Sequence, residues 1–157
     1  MSPFAGLKAD IRREMENLTR LVHSMHELRA QLRSPEPTEF DVRAAGSLLH
    51  DFYTGLAKMF QRIALKVDQD LPAGSDWHLQ LLQRMATRID GVRPPILSDD
   101  EMRHLEEYLR FRHLFRNLYG FELRWELIEP LVEDMGVRFE EIRSQLEDFM
   151  ASFDGSS

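Results

Sequence analysis

The sequence has 157 residues, 43% hydrophobic and 30% charged: apolar material for one core, and too little chain for two domains of ordinary size. It contains no cysteine, which excludes disulfide scaffolds and thiolate metal sites and points to a reducing compartment. The formal net charge of -7 opposes indiscriminate attraction to a nucleic-acid backbone and leaves room for a local basic site. All but Lys8, Lys58 and Lys66 of the 20 basic residues are arginine, the side chain that holds phosphate or carboxylate in bidentate fashion. The opening residues, Met1 to Lys8, lack the apolar run of a signal peptide. No later segment approaches the roughly 18 apolar residues that a membrane span needs. One cytoplasmic domain over residues 1–157, with no membrane partner, is therefore the expectation.

In chain order, residues 7 to 33 place Ile11, Met15, Leu18, Val22, Met25, Leu28 and Leu32 three or four apart, the stripe of an amphipathic helix. Ser34-Pro35-Glu36-Pro37 is expected to stop it, because proline lacks an amide hydrogen and bars helical geometry to its predecessor. Thr38 and Asp41 form a capping-box pattern opening a second, central helix, with Phe40, Leu48, Leu49, Phe52, Tyr53, Leu56, Met59, Phe60, Ile63 and Val67 predicted inward. After a turn at Leu71-Pro72-Ala73-Gly74-Ser75, Asp76 is expected to cap a third helix carrying Trp77, Leu81, Leu82, Met85 and Ile89, ended by Gly91 to Pro95. Ser98-Asp99-Asp100-Glu101 gives a second capping box with acids in the first turn, where the helix dipole favours them. That fourth helix is predicted to reach Tyr119 and leave at Gly120. A last helical region carries Trp125, Ile128, Leu131, Met135, Phe139, Ile142, Leu146 and Phe149, with Pro130 as an opening or kink, before a polar tail from Asp154 to Ser157. No alternating stretch predicts a sheet. The expectation is all-α: an up-and-down bundle of about five helices.

Charge reverses sign in one place. Between Glu107 and Glu122 there is no acid, and the interval holds Arg110, Arg112, His113 and Arg116. At roughly 100° per residue, Arg112, Arg116, His113 and Asn117 fall on one arc, with Phe111, Leu114, Phe115 and Leu118 on most of the opposite side. The plain reading is a solvated face over a packed back. The functional reading is a cationic strip built to meet an anion.

The run Arg112-His113-(three residues)-Asn117-Leu118-Tyr119 resembles the Arg-polar-(three residues)-His-x-Tyr signature of the HEPN superfamily, in particular the HepT-like toxins paired with minimal nucleotidyltransferase (MntA-like) antitoxins. Phe52-Tyr53-Thr54-Gly55, Phe60-Gln61-Arg62-Ile63-Ala64, Asp70-Leu71-Pro72, Asp76-Trp77-His78, Leu81-Leu82 and Tyr119-Gly120-Phe121-Glu122-Leu123 are similar, in order and spacing, to a HepT-like ribonuclease branch. The resemblance covers about residues 40 to 135 and leaves the first helix and the tail outside. It implies metal-independent cleavage of RNA by a homodimer, needing no cofactor. On that template Arg112 is the phosphate-binding arginine and Tyr119 the acceptor of AMP from a nucleotidyltransferase antitoxin; Asn117 is expected in the catalytic group with Arg112 and His113, and the neighbouring Arg110 and Arg116 are expected as further phosphate contacts. Asn117 stands where the motif usually has histidine, and an amide cannot shuttle protons. His113, flanked by cations that favour its neutral form, is then the expected acid–base group. The alternative is a helical binding module that kept the scaffold and lost catalysis.

Other candidates favour plain readings. His23 and His26 lack a matching pair of ligands on another helix, so no metal site is expected. Asp76-Trp77-His78 is explained by a capping acid, a core ring and an exposed histidine. The phenylalanines and methionines read as core or dimer surface, and no glycine-rich phosphate loop or nucleophile motif is present.

Overall fold

A computed structural model of the chain describes residues 3–32 and 36–154, and among them are five α-helices and no strand. The stop expected at Ser34 and Pro35 and the tail after Asp154 lie outside the described residues. The helices are α1 (Ala5–Gln31), α2 (Glu39–Ile63), α3 (Trp77–Met85), α4 (Asp99–Asn117) and α5 (Trp125–Asp154). This is the all-α bundle that the periodicity predicts. No described helix is long and apolar enough to cross a membrane.

Helix α2 is the axis and packs against α1, α3, α4 and α5. Its apolar residues recur every three or four positions, so Val42, Ala45, Leu49, Phe52, Leu56, Met59, Phe60 and Ile63 are all buried. Its start is the predicted capping box: the Asp41 amide donates to Thr38 Oγ1 at 3.1 Å, and the Thr38 amide to Asp41 Oδ2 at 3.2 Å. Gly55 brings α1 close, since a Cβ there would sit 2.7 Å from Leu18 Cδ2. Phe40 is 78% exposed and not inward. It lies about 200° around the helix from Val42, which holds the core position of that turn.

Three further expectations change for local reasons. The Asp76 carboxylate does not cap α3; it accepts from Gln80 Nε2 at 2.6 Å. Ser98 Oγ accepts from the Glu101 amide at 3.1 Å, as a cap should. Glu101 does not reciprocate, because the Ser98 amide donates to Gln145 Oε1 at 3.0 Å while Glu101 accepts from Arg138 Nη1 at 2.6 Å. Burial pushes the Glu101 carboxyl up to about 7, Arg138 pulls it down, and Glu141 and Asp134 push it up again. Pro130 lies inside α5, which runs through it.

The end of α2 widens into a π turn, Ala64–Asp68, closed by Gln69 at φ 58°. That turn carries Asp68 inward to Arg93, whose side chain is fully buried. Arg93 Nε and Nη2 grip both Asp68 carboxylate oxygens at 2.7 and 2.9 Å. Nη2 also donates to the Arg84 carbonyl, and Nη1 to the carbonyls of Thr87 and Pro94, at 3.0–3.1 Å. All five N–H groups of this guanidinium thus have acceptors. They take up carbonyls at the exit of α3, which ends at Met85, so Ile89 falls in a turn whose backbone pairs with Arg93. Replacing Arg93 by alanine leaves Asp68 buried and unpaired, and is expected to cost about 3–5 kcal/mol. Urea unfolding measures it, with Arg93→Lys recovering part of the loss; an unchanged midpoint in Arg93→Ala would show that the pair does not hold the fold.

Candidate functional site

Helix α4 is fixed by its back before its front matters. Leu105, Tyr108, Leu109 and Phe111 are buried, and the Tyr108 hydroxyl lies 3.0 Å from both the Leu131 carbonyl and the Asp134 carboxylate on α5. Phe115 and Leu118 are half-buried, but Leu114 is 42% exposed and lies in a groove between α4 and α5 with Leu127. The apolar back is therefore narrower than its sequence pattern suggests. Helix α4 stops at Asn117 and not at Tyr119, because Leu118 is already extended (φ −106°, ψ 148°).

The front of α4 faces α2 and α3. Arg112 is half-buried, and its Nε donates to Thr54 Oγ1 at 3.3 Å. The Thr54 hydroxyl spends its own hydrogen on the His50 carbonyl at 3.0 Å. Arg112 Nη1 is buried with no partner. No carboxylate of the described residues forms an ion pair with this guanidinium. Burial and Arg116 press Arg112 below its ordinary value, with Tyr53 acting the other way, but an arginine stays cationic. Burial also pushes the Tyr53 phenol well above its usual range, against the pull of Arg112.

A second ring meets this strip from α3. His78 stacks on Trp77 with centroids 3.7 Å apart and meets the His113 ring edge-on at 5.9 Å. Its Nδ1, like Arg112 Nη1, is buried without a hydrogen-bond partner. Such an atom costs about 1–3 kcal/mol, and two of the three found among the described residues lie on His78 and Arg112. Burial lowers the His78 pKa from 6.5, and the positive groups Arg112, His113 and Arg116 lower it further.

A family model described as HepT-like protein matches residues 44–153. The chain belongs to the HepT-like family, within the HEPN superfamily. No curated protein and no solved structure matches it. The HepT-like match starts inside α2 and takes in nearly all of α5, further than the resemblance at 40 to 135, and it leaves α1 outside.

Within this HepT-like frame, Arg112, His113 and Arg116 share the face towards His78, with His113 and Arg116 exposed. Asn117 is turned back onto its own helix, its Nδ2 donating to the His113 carbonyl at 2.8 Å. Arg110 is on another side of α4, bound to Glu106 and Glu107 at 3.2 and 2.8 Å, along the groove of Leu114 and Leu127. Tyr119 is 71% exposed, stacked on Phe121 at 5.3 Å, with its amide donating to Glu122 Oε1 at 2.9 Å. Beside it, a Cβ on Gly120 would meet the Arg43 guanidinium at 2.5 Å, so the turn admits only glycine without moving Arg43. On α1, His23 pairs with Glu27 at 2.6 Å on the surface.

Sequence reasoning takes Trp77 as a core ring and His78 as an exposed histidine and gives Thr54 no role, whereas Trp77 and His78 are both half-buried and His78 Nδ1 is covered. His78 and Thr54 both stand in blocks of the HepT-like resemblance, so a signal was there, but nothing in the spacing of α3 says that its histidine turns to α4. Because the folded pKa of His78 is depressed, protonation favours the unfolded chain, and this residue costs stability as pH falls below 6.5. Imidazole NMR titration should find His78 below 6.5 and shift it upward in Arg112→Ala; a titration at or above that value would refute the arrangement of charge described here.

Proposed function

We propose that this HepT-like chain is a ribonuclease toxin: a metal-independent endoribonuclease that works in the cytoplasm as a homodimer and is neutralised by a nucleotidyltransferase antitoxin. The observation that carries the reading is Arg112, a half-buried guanidinium whose Nη1 has no partner, with no carboxylate of the described residues on it and an imidazole of α3 nearby. Arg110, on another side of the helix, is instead held by Glu106 and Glu107. A guanidinium held apart from acids suits the charge that grows on a phosphate as it becomes five-coordinate. His113 supplies proton transfer, Asn117 stands with it and Arg112 in the catalytic group, and Arg116 and more distantly Arg110 hold flanking phosphates. Tyr119, exposed on an extended connection, is the acceptor for AMP. The whole chain, residues 1–157, acts as one unit.

Asn117, which has no titratable proton, favours a second reading: a HepT-like module that binds RNA without cutting it. Purified protein and a defined RNA oligonucleotide separate the two. The ribonuclease reading expects wild-type cleavage, reduced about 10²–10³-fold in Arg112→Ala and about 10²–10⁴-fold in His113→Ala. Wild-type retention of RNA without cleavage, lost in Arg112→Ala, would support the module instead. For the control point, incubation with the partner nucleotidyltransferase and ATP should add AMP, detected by mass, to wild type and not to Tyr119→Phe. Equal modification of both would place the acceptor elsewhere.

A further inference from the structure

We propose that His78 is the general base of the cleavage step and works opposite His113, the general acid, across a phosphate gripped by Arg112. This rests on the ribonuclease reading and assigns to it the proton acceptor that Asn117 cannot be. An in-line displacement puts the entering and leaving oxygens on opposite sides of phosphorus, so two proton carriers must approach from different directions. The rings of His78 and His113 come from different helices, with centroids 5.9 Å apart and planes at 77°. Their spacing is set by how α3 packs on α4, not by the pitch of one helix.

The charges acting on His78 are those of Arg112, His113 and Arg116, all on α4. From α2 the neighbours of Arg112 are the Thr54 hydroxyl and the Tyr53 phenol, which burial keeps neutral. From its own helix His78 meets the Trp77 ring. Nothing in that set is anionic, so His78 is held in the unprotonated form that a base requires. A histidine kept for packing alone usually has its buried nitrogen satisfied. Here Nδ1 is covered by the protein and has no partner, and Nε2 is the ring nitrogen open to a substrate, so the proton is accepted there.

In the step, the ribose 2′-hydroxyl gives its proton to His78 as the O2′–P bond forms. The P–O5′ bond breaks, and protonated His113 gives its proton to the departing 5′ oxygen. The products are a 2′,3′-cyclic phosphate and a 5′-hydroxyl, and exchange with water restores both imidazoles. Arg112 carries the charge on the non-bridging oxygens throughout.

The test uses the full chain, a defined RNA oligonucleotide, and the same oligonucleotide with sulfur replacing the bridging 5′ oxygen, a leaving group that needs no proton. His78→Ala and His78→Gln should each lower cleavage about 10²–10⁴-fold, keep RNA binding by fluorescence anisotropy within a few-fold, and lose the acid limb of the kcat/KM profile. The sulfur substrate should restore His113→Ala and leave both His78 variants slow. Circular dichroism and melting of His78→Gln separate loss of the base from loss of the fold. Full activity in His78→Gln, or rescue of the His78 variants by sulfur, overturns the base assignment and leaves the ribonuclease reading standing. A wild type that cleaves no RNA overturns both.

Discussion

The arrangement of this molecule depends on burying one arginine completely. Moving a guanidinium out of water costs several kcal/mol unless its hydrogens meet acceptors at good geometry, and Arg93 meets that condition at all five. Because the acceptors are Asp68 at the end of α2, Arg84 and Thr87 at the exit of α3, and Pro94 on the approach to α4, satisfying them leaves little choice in where α3 lies. The π turn that follows α2 is part of the same solution, since it brings Asp68 inside. The position of His78 against His113 is thus a distant consequence of a charge that has nothing to do with chemistry.

Arg112 is the counterpart, and the comparison is what makes it informative. It is also withdrawn from solvent in part, yet it makes one long hydrogen bond, to Thr54, and leaves Nη1 unmatched. Side-chain rearrangement would ordinarily relieve such a deficit, but Arg112 is held between α2, whose Thr54 is committed to the His50 carbonyl, and a helix pinned from behind by Tyr108. On the proposed reading an anion relieves this deficit, which then acts as preorganisation for a phosphate.

The sequence displays what depends on periodicity and on neighbours a few residues apart. The apolar stripes give the bundle, and the Thr38–Asp41 box opens α2 as its spacing implies. Errors appear where a tertiary partner outbids a local one. Glu101 looks like the returning half of a cap and is taken instead by Arg138, and Phe40 looks like core but faces away from the side on which Val42 is buried. On α4 the strip of Arg112, His113 and Arg116 is legible, because it lies within one helix. His78 is not, because its meaning comes from the angle between two helices joined through Arg93. Nor does sequence separate Arg93 from Arg112, since the difference lies in how many acceptors surround each one.

A net charge of -7 makes the proposed substrate an awkward partner at long range. Polyanionic RNA is repelled by such a surface beyond a Debye length and is attracted only where the local sign is reversed. The acid-free interval from Arg110 to Tyr119 is such a place, but Arg110 is engaged by Glu106 and Glu107, so the positive charge that remains is concentrated at Arg112 and Arg116. On the proposed reading each chain then contacts few phosphates, and with weak counterion release the affinity comes from directed hydrogen bonds more than from bulk attraction. Arginine in place of lysine is the side chain for that task, because its planar fork fixes the orientation of the phosphate as well as its charge. In the proposed step orientation is what the two imidazoles need, since neither reaches its oxygen unless the phosphorus is presented with its apical positions towards the two rings.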